Sequence, residues 1–61
     1  MSVFADAVRE RVRQARADIE AALAAGDAHG AELAREELED ALRLAARHNI
    51  RIETEDEVSD Q

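Results

Sequence analysis

The sequence predicts an all-α fold, an antiparallel two-helix hairpin, and three observations carry that prediction. No proline interrupts the 61 residues. Two long stretches place apolar residues at the three- and four-residue spacing of one helical face. Between them stands a single Gly-Asp pair, a helix stop followed at once by a helix start.

The first helix is expected over about residues 3–25, a stretch rich in Ala, Arg and Glu, which favour helix strongly. Ser2 is suited to cap its start, and Asp6 sits near the positive end of its dipole. Phe4, Val8, Val12, Ile19 and Leu23 form its apolar stripe, with Ala5, Ala15 and Ala22 filling the same face.

The turn is expected at Gly26 and Asp27. Glycine reaches the left-handed conformation that ends a helix at little cost, and aspartate caps the next one. The second helix then runs over about 28–48, with Asn49 able to end it as Gly26 ends the first. Its stripe is Ala31, Ala34, Leu38, Ala41, Leu42 and Ala45, and Arg43 and Arg47 complement the negative end of its dipole. Gly30 is the odd residue, because glycine inside a helix costs about 1 kcal/mol against alanine. Close approach of Leu23 across the turn, or fraying of the first helical turn, would account for it.

So short a connection forces the helices side by side. With the turn centred on 26 and 27, facing residues have numbers summing to about 53. Ile19 then faces Ala34, Ala15 faces Leu38, Val12 faces Ala41 and Val8 faces Ala45, a large residue against a small one each time. The expected hairpin core is Phe4, Val8, Val12, Ala15, Ile19, Leu23, Ala34, Leu38, Ala41, Leu42 and Ala45.

Residues 1–50 therefore read as the hairpin and 51–61 as an acidic, disordered tail. From Glu53 onward five of nine residues are acidic. Ile50 and Ile52 alternate with polar residues, which fits a short extended segment or a last turn folding back toward Phe4. A sharper reading makes the tail an arm that docks on a basic partner.

Two helices share a single interface, so a lone hairpin of this size is marginal. Leu33 and Leu44 are eleven residues apart, within about 20° of each other around the helix, and lie to one side of the Leu38 stripe. They are expected to carry self-association, pairing two hairpins into a homodimeric four-helix bundle.

Charge and composition narrow the function. Fifteen acidic residues stand against eight basic ones, all arginine, for a net charge of −7. Such a chain is repelled by phosphate backbones and anionic lipid surfaces. With one Phe and no Trp or Tyr it lacks platforms for stacking bases. Arg9, Arg13 and Arg16 share a flank of the first helix and could serve as phosphate contacts, but Asp6, Glu10, Asp18 and Glu20 offset them.

The absence of cysteine excludes disulfides and thiolate zinc sites. His29, Glu32 and Glu36 share a helical face, yet that face points to solvent without supporting groups, so no metal is expected. His29 and His48 lie about 28 Å apart along one helix and cannot cooperate within a chain. Ser2, Thr54 and Ser59, the only hydroxyls, lack an adjacent base. The run GDAHG lacks the lysine and the strand-to-helix setting of a phosphate loop.

A non-enzyme without cofactor is the expectation: a small protein–protein interaction module, such as an accessory, adaptor or regulatory subunit. The alternatives are an acidic antitoxin-like or anti-regulator partner of a basic protein, and a nucleic-acid-associated protein using the arginines of the first helix. The longest apolar run, AALAA, is far short of the ~20 residues of a membrane span, and no leader pattern opens the chain. A soluble, cytoplasmic chain is expected.

Overall fold

The computed structural model describes residues 2–52. Two helices, α1 (Val3–Ala24) and α2 (Ala28–Arg47), pack against each other as a hairpin. The expected tail from Glu53 onward lies outside the described residues. No helix among the described residues is long and apolar enough to cross a membrane.

Each helix begins on the side chain the sequence offers. Ser2 is extended, and its Oγ accepts a hydrogen bond from the Ala5 N–H at 3.1 Å. Asp27 does the same for α2, its Oδ1 accepting from the Gly30 N–H at 2.9 Å. These bonds satisfy N–H groups that have no partner within the helix.

Both helices end alike, one residue earlier than the sequence suggested. At the end of α1, Gly26 takes φ +72° and its N–H donates to the Leu23 carbonyl at 3.1 Å, while the Asp27 N–H donates to Ala22 at 2.8 Å. At the end of α2, Asn49 takes φ +57°, its N–H donates to Ala46 at 3.2 Å, and the Ile50 N–H donates to Ala45 at 2.8 Å. This pair of bonds around a left-handed residue is the Schellman arrangement, with glycine in one instance and asparagine in the other.

The core is smaller than its stripe implied. Fully buried are Val8, Val12, Ala15, Ala31, Ala34, Ala41 and Ala45. Ile19, Leu38, Leu42 and Leu44 are half-buried at its margins. Phe4 and Leu23, expected inside, are 47% and 56% exposed. The cause is their position: Leu23 lies one residue before the end of α1 and Phe4 one residue after its start, where the partner helix is giving out. Phe4 instead sets the edge of its ring against His48, with centroids 5.0 Å apart and planes at 72°. That contact joins the start of α1 to the residue capping α2, as an antiparallel pair requires.

Candidate functional site

The candidate residues lie at three places on the hairpin: the turn, the leucine flank of α2 and an arginine groove.

In the turn, Asp27 serves both helices at once. Its N–H closes α1, its carbonyl accepts from Ala31 at 3.0 Å, and its carboxylate caps α2. Gly30 finds its explanation here. A Cβ at that position would overlap the Asp27 carboxylate, standing 2.8 Å from Cγ and closer still to Oδ2. The atoms nearest that space are those of Asp27, so the glycine makes room for the cap rather than for Leu23. His29 beside it is exposed, as are Glu32 and Glu36. Among the described residues no group of three His, Cys, Asp or Glu is arranged to hold a metal ion.

On the leucine flank, Leu33 is half exposed and Leu44 half-buried. Glu37 and Asp40 stand between them at 4-3-4 spacing, both exposed, so the flank is two apolar spots separated by acids. Asp40 is bridged to Arg43 at 2.7 Å.

The groove lies along α1 at its junction with the segment after α2. It encloses about 390 Å³ and is lined by Arg9, Val12, Arg13, Arg16, Arg51 and Ile52. The left-handed turn at Asn49 brings Arg51 back to α1, where Arg9 Nε donates to the Arg51 carbonyl at 2.9 Å. The reversal meets Arg9, and Arg51 and Ile52, expected in the tail, help to line the groove.

Comparison with protein-family models, with curated proteins and with solved structures returned no match.

The groove is chemically uneven. Arg9 is bridged to Asp6 at 3.4 Å and Arg13 to Glu10, both through exposed i,i+3 pairs. Arg16 and Arg51 have no carboxylate partner among the described residues. Sequence reasoning found three of the four arginines because they share a helical flank. Arg51 is 42 residues from Arg9 and escaped it. The alternation of Ile50 and Ile52 was the available signal that the chain there packs rather than trails.

Proposed function

We propose that the protein is a small non-catalytic interaction module, an accessory, adaptor or regulatory subunit that works as a pair of hairpins. The observation that carries this is the make-up of the buried core, two valines and five alanines. Every Leu, Ile and Phe among the described residues is half-buried or exposed. Full burial of such a side chain contributes about 1.5–3 kcal/mol, and a single hairpin realises only part of it. A second hairpin laid across Leu33 and Leu44 would bury more of both, in the manner of a four-helix bundle.

Sedimentation equilibrium at micromolar concentration tests the reading. The wild-type chain should sediment at twice the monomer mass, and Leu33→Asp with Leu44→Asp should return it to the monomer mass. A cooperatively folded wild-type monomer, or a double variant that stays dimeric, would overturn it.

A further inference from the structure

We infer that the arginine groove is the docking site of the chain's own acidic segment, residues 53–61. Four arginines line one open groove in a protein whose net charge is −7. Arg9 and Arg13 bridge Asp6 and Glu10 through exposed pairs, while Arg16 and Arg51 bridge no carboxylate among the described residues. Acidic residues follow directly in the chain. Ile52 lines the groove, and the nine residues that follow carry Glu53, Glu55, Asp56, Glu57 and Asp60.

The reach is ample. Nine extended residues span up to about 30 Å. Arg9 and Arg16 are seven residues apart on a helix, about 10 Å along its axis. Charge is also distributed to suit. With five of the fifteen acids beyond residue 52, the first 52 residues hold ten acids against eight arginines, close to balance. The segment's excess negative charge thus begins where the excess positive charge is gathered. Val12 and Ile52 give the groove an apolar floor against which the stems of the bound residues can lie.

Each solvent-exposed ion pair favours docking by only about two- to fivefold, so docking rests on several pairs and responds to salt. The absence of native cysteine makes the test clean. A nitroxide on Gln61→Cys, in the full isotopically labelled chain, reports which backbone amides the segment approaches. Docking predicts strong broadening of amides 9–16 at low salt and little at 33–44. It also predicts that most of the broadening is lost near 1 M salt, where the Debye length is about 3 Å. Arg16→Gln with Arg51→Gln should reduce it several-fold. Broadening that ignores salt and these substitutions would reflect only the tether at Ile52 and would overturn the inference. So would broadening that passes solely between chains in a mixture of labelled and spin-bearing protein, which would make a second copy the occupant.

Discussion

Replacing Gly30 by alanine should fail to stabilise this protein, although Gly30 lies within a helix where alanine is ordinarily the better residue. Taken alone, the exchange gains about 1 kcal/mol of helix propensity. Against it stands the cap. The new Cβ would fall 2.8 Å from Asp27 Cγ, inside van der Waals contact, so the carboxylate must swing away from the Gly30 N–H it now accepts from. Losing an aspartate cap costs about 0.5–2 kcal/mol, typically near 1. The two terms cancel or leave a small net loss.

The cycle with Asp27→Ala isolates the coupling. Asp27→Ala alone should cost about 1 kcal/mol. In that background Gly30→Ala meets no carboxylate, so its full gain of about 1 kcal/mol should emerge. The expected interaction energy is therefore about 1 kcal/mol, or roughly 4–8 °C in Tm for a domain of this size. Thermal unfolding followed by far-ultraviolet circular dichroism, with all four proteins at one concentration, measures it. If Gly30→Ala stabilises the wild type as much as it stabilises Asp27→Ala, the two residues are uncoupled and the reasoning fails.

Three further outcomes follow from the same geometry. Gly26→Ala should cost about 1–2 kcal/mol in urea unfolding because of its φ of +72° alone, since nothing lies within 4 Å of the added Cβ. Gly26→Asn should cost less, as Asn49 already holds that conformation at the end of α2. Ala41→Leu should destabilise the hairpin by about 1–3 kcal/mol, because a side chain only 1% exposed leaves no room between the helices for three more carbons. The edge contact of Phe4 with His48 should give a coupling of about 0.5–1.5 kcal/mol in a double-alanine cycle, and additive losses would show that it contributes only area.

The parts of the fold legible in the sequence are those set by local chemistry. Ser2, Gly26, Asp27 and Asn49 each act within a few residues of themselves, so residue type alone indicates the conformation. The extent of the core was harder to read, because periodicity shows which face a residue occupies but not whether anything lies opposite. Phe4 and Leu23 share the apolar stripe with Val8 and Val12, yet they sit where the neighbouring helix ends. The groove needed still more. Three of its arginines follow from helical spacing, while the fourth depends on the direction in which the chain leaves Asn49, and that is set by packing across the hairpin.

Exposed loop tips are usually where a protein best tolerates an inserted residue, a cut or a fused domain. This hairpin inverts that expectation. All three connecting residues are occupied, with the N–H groups of Ala25, Gly26 and Asp27 bonded back to Ala21, Leu23 and Ala22. The last of the three also starts the second helix. One added residue would therefore either uncap α2 or rotate it about 100° against α1, turning Ala31 and Ala34 out of the seam. A cargo or a new terminus belongs away from this turn, because here the bend and the alignment of the helices depend on the same atoms.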